Sequence, residues 1–429
     1  MTPIKAILVI VGRLVRNIDG YWRSVALVFS GTAVAQAIPL VGSLVIARIF
    51  LPADFGVFTA WLGIAAIVGI FVTGRFEMAL ALEPDGEPRA RAAMATVVTT
   101  LMLVVAVAVV GGPVYLVFSD RLPPLPPVLV GLFLPAFAIL AASQIWQAWA
   151  AAEGLFRALS AMRIVQAAAI TGLQIATGMI APAAETLAAA HIAGVLAGVL
   201  VMMRWLPLHR LDGGFATVRA FWSRYRKFPI FSLPADTVNT AAAQLPLALI
   251  AGRFGADSAG FVALAFRTLG APISLLGTAV LDVFKRRASE AWRERGDCRS
   301  EYVQTFAVLA AGSLLATVVF YFAGEELFAL AFGERWRPAG EAAVILLPLF
   351  ALRFVASPLS FVVYIAEKQH IDLVWQVCLL TTTLAALLLP PTYEQALLGY
   401  ALGYGLLYVV YLALTYRFSL GAAAGGTRP

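Results

Sequence analysis

Residues 93–118 read AMATVVTTLMLVVAVAVVGGPVYLVF, a run that contains no charged side chain. A helix of about 20 apolar residues spans the hydrocarbon core of a bilayer, so this run predicts a membrane-spanning helix. The rest of the chain has the same character, because 61% of its 429 residues are hydrophobic, 13% are charged and the mean hydropathy is +0.87. Soluble domains carry about 25% charged residues. Most of this chain therefore folds in lipid.

Eleven further apolar stretches predict spanning helices, which makes twelve in all. Their approximate bounds, with the first run included, are 25–47, 56–74, 93–118, 128–151, 162–180, 187–206, 229–251, 260–282, 302–323, 340–363, 371–389 and 394–415. The sequence thus predicts an all-α polytopic membrane protein of about twelve transmembrane helices.

The basic residues are distributed unevenly between the predicted loops. With twelve spans, loops on the side of both termini hold 24 of the 31 Lys and Arg residues, and loops on the other side hold five. Cytoplasmic loops carry such an excess of positive charge. The distribution predicts that both termini are cytoplasmic, and it explains the net charge of +7 without a nucleic-acid partner.

A weak internal repeat divides the chain. Residues 29–50 read FSGTAVAQAIPLVGSLVIARIF and residues 231–254 read FSLPADTVNTAAAQLPLALIAGRF, and just beyond them Gly56 matches Gly260. Six spans separate the copies, so both cross the membrane in the same direction. The predicted organisation is an interfacial amphipathic segment at 1–24, six-helix lobes at 25–206 and 229–415, a basic linker at 207–228 and a cytoplasmic tail at 416–429.

Arginines at membrane depth are candidate site residues, because a charge there costs about 2.5–3.5 kcal/mol and needs a partner or a purpose. Arg267 and Arg353 lie within spans, and Arg48 and Arg75 end the first two spans. The planar guanidinium group binds phosphate oxygens in a bidentate way, so each arginine is a candidate to bind an anionic substrate. The alternative is structural: Arg75 would pair with Glu77, and Arg48 would extend to the membrane surface.

Several blocks of the chain resemble bacterial polysaccharide transporters. They are ARIFLPADFGVFTAW (47–61), TGRFEMALALEPDGE (73–87), residues 228–273, AFGERWRPAGE (331–341) and LRFVASPLSFVVYIAEKQ (352–369). The family contains the Wzx-type oligosaccharide flippases of O-antigen and exopolysaccharide assembly, and its superfamily includes multidrug exporters and peptidoglycan-lipid flippases. The resemblance implies a V-shaped fold of two six-helix lobes that opens alternately to each side of the bacterial inner membrane.

The resemblance also implies a substrate and partners. The substrate would be an undecaprenyl-diphosphate-linked oligosaccharide, moved from the cytoplasmic to the periplasmic leaflet for O-antigen, capsule or exopolysaccharide assembly. Membrane lipids, a polysaccharide polymerase and chain-length proteins would be partners. If the first and seventh spans line the central cleft of this fold, Gln36, Asn239 and Gln244 are candidates to contact substrate. Asp236 would couple transport to a proton or sodium gradient, or would pair with an arginine.

No cofactor or metal is expected. Two cysteines form no ligand motif, three scattered histidines are predicted to be interfacial or loop residues, and no phosphate-binding GxxxxGK[ST] loop is present. Two alternatives to a flippase remain. An ion-coupled drug antiporter is disfavoured because exporters of cations need acidic cavities, whereas the two halves are expected to supply more buried Arg than buried Asp or Glu. A membrane glycosyltransferase, polymerase or ligase would need positioned carboxylates or histidines, whereas the predicted outward loops are short and lack histidine.

Overall fold

A computed structural model describes residues 20–118, 125–204 and 214–421. Within these ranges the chain is helical and contains no strand. The interfacial segment predicted at 1–24 lies outside this description up to residue 19, as does the predicted tail beyond residue 421.

Twelve long helices and two short ones make up the described α-helices. In chain order they are α1 (Gly20–Ile49), α2 (Pro52–Thr73), α3 (Glu87–Phe118), α4 (Pro127–Ala152), α5 (Phe156–Gly178), α6 (Ala184–Met203), α7 (Phe215–Tyr225), α8 (Leu233–Phe254), α9 (Ala256–Arg295), α10 (Arg299–Phe332), α11 (Arg337–Leu359), α12 (Val362–Ile365), α13 (Gln369–Leu388) and α14 (Tyr393–Ser419). The short helices are α7 and α12. A 3₁₀ turn, Phe76–Leu82, follows α2, and a π-helical turn, Phe228–Ser232, precedes α8.

Each of the twelve predicted spans falls on one of the twelve long helices. Eight segments of the described chain are long and apolar enough to cross a membrane, and α1 and α13 contribute the shorter apolar stretches Val34–Ile49 and Val374–Leu388. The remaining two, α8 and α9, carry the polar residues that the sequence analysis singled out. The all-α membrane architecture is therefore confirmed.

One helix start differs from its prediction in a way that matters for the site. The fifth span was expected to begin near residue 162, but α5 begins at Phe156. Gly154, with φ of 68°, makes the turn after α4, and no Gly or Pro follows it before α5. Arg163 therefore lies two turns inside a helix and not in a loop.

The long helices alternate in direction, because most are joined by short connections. We call the end of the bundle at which α2, α4, α6 and α9 finish the basic face, since most Lys and Arg residues lie there, and the other end the opposite face. The linker helix α7 lies at the basic face against the first lobe. Trp222 donates to Thr99 Oγ1 at 2.6 Å, and the Tyr225 hydroxyl donates to Glu83 Oε1 at 2.8 Å.

The two lobes approach each other most closely where α2 crosses α9. A Cβ atom added to Gly56 would overlap the carbonyl oxygen of Ala256, and one added to Gly260 would overlap the carbonyl oxygen of Pro52. Pro52 and Ala256 are the first residues of α2 and α9, and the two glycines are the fifth of each. Equivalent residues of the repeat therefore meet in a local two-fold arrangement near the opposite face.

Trp336 of the second lobe closes the same end of the bundle. Its side chain is fully buried, and its indole N–H donates to the carbonyl oxygen of Ala47 in α1. The Trp336 ring also packs edge-to-face on Phe55 of α2 and Phe261 of α9, with centroids 5.8 and 6.2 Å apart. Aromatic packing thus reinforces the glycine crossing at the opposite face.

Substitution of either glycine at the crossing should separate the lobes. We expect Gly56→Ala and Gly260→Ala each to lower the free energy of unfolding by about 1–3 kcal/mol, because the new methyl group overlaps backbone that cannot rotate away. Thermal unfolding of the purified protein in one detergent measures the effect. Gly172→Ala is the matched control, because a Cβ atom there meets no atom within 4 Å. Equal melting temperatures for Gly56→Ala and Gly172→Ala would contradict the prediction.

Candidate functional site

Arg267 lies between the two lobes, near the middle of the bundle. It is eleven residues past the start of α9, which corresponds to about 16 Å from the opposite face at 1.5 Å per residue. Its Nη2 atom donates a hydrogen bond to the carbonyl oxygen of Pro39 in α1. Among the described residues no carboxylate pairs with Arg267. Because a carbonyl group carries no net charge, the positive charge of Arg267 is retained at membrane depth.

His191 of α6 is a neighbour of Arg267 that the sequence analysis missed. It lies near Arg267, and its ring centroid is 5.9 Å from that of Phe58. The prediction that the histidines are interfacial or loop residues is wrong for His191, which is seven residues inside an apolar helix. Sequence spacing could not reveal these contacts of His191, because Phe58 and Arg267 come from distant helices.

The predicted polar residues of the first and seventh spans are placed differently from one another. Gln244 of α8 packs against α2, where a Cβ atom added to Gly63 would lie 3.3 Å from Gln244 Cβ and 3.5 Å from Oε1. Gln36 of α1 is exposed. The side chain of Asn239 lies outside the described residues. The substrate-binding roles of all three stay predictions.

Arg75 joins the two lobes at the basic face. Its Nε donates to Oδ2 of Asp236 in α8 at 2.7 Å, and its Nη1 donates to Oε1 of Glu77 at 3.0 Å. Arg75 has φ of 59°, a left-handed conformation that costs a non-glycine residue about 1 kcal/mol or more, and these two contacts offset that cost. Burial raises the pKa of the Glu77 carboxyl. Two carboxylates thus share the charge of Arg75, as the structural alternative for Arg75 and Asp236 predicted.

The other two predicted arginines do not join Arg267. The Arg48 side chain lies at the opposite face, where Nη2 donates to the carbonyl oxygen of Leu330 at 3.0 Å. Arg353 of α11 is exposed and lies near Tyr400 and Tyr408 of α14, about 24 Å from the opposite face. The structure therefore places the four predicted arginines at different depths and does not gather them into one cluster.

A group of polar side chains inside the first lobe was not predicted. We call it the N-lobe polar cluster, and it consists of Ser143, Gln144 and Gln147 of α4 with Arg163 and Gln166 of α5.

Hydrogen bonds connect four members of this cluster. Arg163 Nε donates to Gln147 Oε1 at 3.3 Å. The Nε2 amides of Gln147 and Gln166 both donate to Ser143 Oγ, at 3.1 and 2.9 Å. Glutamines at spacings of three or four along an apolar span are the sequence signal that could have revealed the cluster. Arg163, at the predicted start of the fifth span, was counted with the basic loop residues.

Two helical lobes that meet where α2 crosses α9, with a positive charge held at mid-depth, define an all-α polytopic membrane protein. The chain belongs to the family described as polysaccharide biosynthesis protein, whose model matches residues 45–341. The comparison with curated proteins gives no significant match.

Solved structures share this fold at low sequence identity. The lipid II flippase MurJ in an inward closed conformation aligns with a TM-score of 0.72 at 11% identity, over 91% of this chain and 89% of that one. A MATE multidrug resistance transporter in an outward-facing conformation has a TM-score of 0.55 at 14% identity, over 94% and 95%.

A third similar structure is that of a MOP superfamily transporter from Pyrococcus furiosus, described as having a binding pocket of reversed polarity. It gives a TM-score of 0.56 at 13% identity, over 92% and 94% of the two chains. These matches confirm the predicted fold class of two six-helix lobes.

The inter-lobe pair Arg75–Asp236 should be coupled energetically. In a double-mutant cycle with Arg75→Ala and Asp236→Ala we expect a coupling energy of about 1 kcal/mol, because the side chains are only 20% and 34% exposed. Thermal unfolding in detergent measures each corner of the cycle. The control is Arg286–Glu290, an exposed pair within α9, with an expected coupling below about 0.5 kcal/mol. Additive effects of the Arg75 and Asp236 substitutions would show that the lobes are not linked there.

Proposed function

We propose that this protein flips an oligosaccharide linked to undecaprenyl diphosphate from the cytoplasmic to the periplasmic leaflet by alternating access. The observation that carries the proposal is the position of Arg267, whose charge lies midway through the bundle between the lobes and meets a carbonyl oxygen instead of a carboxylate. A diphosphate supplies the negative charge that this site lacks, and a guanidinium group can bind two of its oxygens at once. Family membership supports the carbohydrate part of the substrate.

The charges within the spans also favour a flippase over the alternatives. An exporter of organic cations would need an acidic cleft, but Asp236, the acid expected there, is engaged by Arg75. Among the described residues no His, Cys, Asp and Glu cluster could hold a metal ion. The flippase hypothesis requires no catalytic group, and we propose that the chain is a transporter and not an enzyme.

Asp236 and Arg75 provide a means of coupling transport to an ion. Protonation of Asp236 would remove one of the two carboxylates that hold Arg75 and would weaken the link between the lobes at the basic face. The lobes would then be freer to part at that face while the α2–α9 crossing holds the other end. This assigns to Asp236 the ion-coupling role expected from the sequence.

We place the basic face in the cytoplasm of a bacterium, with both termini on that side of the inner membrane. The excess of Lys and Arg on this face supports the orientation. A polymerase and chain-length proteins would act on the product at the other face.

Arg267→Ala should reduce assembly of the surface polysaccharide by more than about tenfold, because a charged contact worth at least about 1.4 kcal/mol is lost. Arg267→Lys should recover only part of the activity, because the ammonium group lacks the planar fork. Polysaccharide at the surface of a flippase-deficient strain is the readout, with the amount of protein in the membrane measured in parallel.

Arg337→Ala is the matched control for Arg267→Ala. Arg337 pairs with Glu326 and Glu334 at the opposite face, and its removal should leave assembly unchanged. Normal assembly with Arg267→Ala at the wild-type protein level would contradict the proposal. A broad gain of drug resistance in an exporter-deficient strain would favour the antiporter instead.

Labelling of single cysteines tests the orientation. In a background that lacks Cys298 and Cys378, Arg335→Cys at the opposite face should react with a membrane-impermeant maleimide in intact spheroplasts. Arg226→Cys at the basic face should react only after the membrane is opened, because its exposed side chain would lie in the cytoplasm. The reverse pattern would place both termini outside.

A further inference from the structure

We propose that the N-lobe polar cluster is a second subsite, which binds the hydroxyl groups of the sugar next to the lipid diphosphate. The inference rests on the proposed function and goes beyond it, because it assigns the recognition of carbohydrate to α4 and α5 of the first lobe. Arg267 would bind the diphosphate, and the cluster would bind the glycan.

The cluster lies within the membrane and not in a loop. Gln147 is five residues before the end of α4 and Arg163 is seven residues after the start of α5, or about 8 and 10 Å from the basic face. Gln166 is about 15 Å from that face. At this depth an amide group without a hydrogen-bond partner costs several kcal/mol of folding free energy. This cost argues that the cluster has a functional role.

Gln144 is the member of the cluster that argues for a bound ligand. Its side chain is half-buried, and within the described residues its amide makes no hydrogen bond. It faces α2, where a Cβ atom added to Gly69 would lie 3.8 Å from Gln144 Nε2. Gly69 lies on a different side of α2 from Gly56 and Gly63, so Gln144 faces the interior of the first lobe. Gln166 of the cluster also donates to the carbonyl oxygen of Val195 at 3.4 Å, one helical turn from His191, the neighbour of Arg267.

The chemistry of the cluster matches a sugar better than a free phosphate or a metal cation. Amide groups donate and accept hydrogen bonds, as sugar hydroxyl groups do, whereas phosphate oxygens only accept. The cluster contains three amides, one hydroxyl and one guanidinium group, and it contains no carboxylate that would attract a cation. A partly satisfied amide network of this kind discriminates well between ligands that have hydroxyl groups and ligands that lack them.

The depths of the two sites are compatible with one substrate. Arg267 is about 16 Å from the opposite face, and α2, with 22 residues, spans about 33 Å between the two faces, so Arg267 is about 17 Å from the basic face. The cluster extends from about 8 to 15 Å from the same face. A diphosphate at Arg267 would therefore hold its first sugar at the level of the cluster.

The test uses the full-length protein in lipid nanodiscs and two probes, undecaprenyl diphosphate and undecaprenyl diphosphate linked to N-acetylglucosamine. Binding is followed by tryptophan fluorescence, and folding by the melting temperature without ligand. We expect wild-type protein to bind the sugar-bearing probe about fivefold more tightly than the bare diphosphate, a preference that a few hydrogen bonds can supply. Gln144→Leu and Gln147→Leu should reduce this preference to less than about twofold and leave the affinity for the bare diphosphate unchanged.

Gln144→Leu removes none of the hydrogen bonds that join the other members, so it also guards against a loss of folding. Gln174→Leu is the matched control, because Gln174 is another buried glutamine of α5 and donates to the Leu187 carbonyl oxygen outside the cluster. The inference is overturned if wild-type protein binds both probes equally or if both cluster variants keep the wild-type preference. Arg267→Ala separates the two proposals: undiminished binding of both probes by this variant would refute the role of Arg267 and leave the cluster to be judged on its own variants.

Discussion

The close approach of α2 and α9 at Gly56 and Gly260 is the contact on which the rest of the structure depends. Helices gain little in a bilayer by burying apolar side chains against one another, because the lipid is equally apolar, so backbone proximity decides which helices pack. Only a residue without Cβ permits this crossing. Since the glycines are equivalent residues of the two lobes, one contact fixes both lobes symmetrically. It also fixes them at one end, so that separation of the lobes is possible at the other.

The polar residues are arranged around this constraint. Near the crossing the inter-lobe contacts are the two glycines, aromatic rings and the indole N–H of Trp336, and they hold the lobes together at the opposite face in this conformation. Toward the basic face the inter-lobe contact is an ion pair, Arg75–Asp236, whose side chains are partly exposed. The alternating access that we propose requires the contacts at each face to part in turn, so the structure describes one state of the cycle, with contacts present at both faces.

The fold was predictable because its signal is local and long. Twelve apolar runs predicted all twelve long helices, even α8 with its prolines. The repeat identified Gly56 and Gly260 as equivalent residues, but their contact was not predicted. The site was less predictable, because side-chain partners come from distant segments. The neighbour Glu77 was foreseen for Arg75, but Asp236, 161 residues away, could only be named as pairing with some arginine. Arg163 was expected at the very start of its span because that helix start was predicted about six residues too late, and it was therefore counted with the basic loops.

The hydrogen-bond partner of each arginine indicates whether that arginine stabilises the fold or can bind a substrate. An arginine bonded to carboxylates, such as Arg75, is electrically neutralised, and a bound anion would have to compete with those carboxylates. An arginine bonded to a carbonyl oxygen, as Arg267 is, keeps its orientation and its charge together. At mid-depth, where water does not screen it, that charge lowers the cost of bringing an anion into the membrane. Location between the lobes then distinguishes Arg267 from Arg48, which has the same kind of partner at the surface.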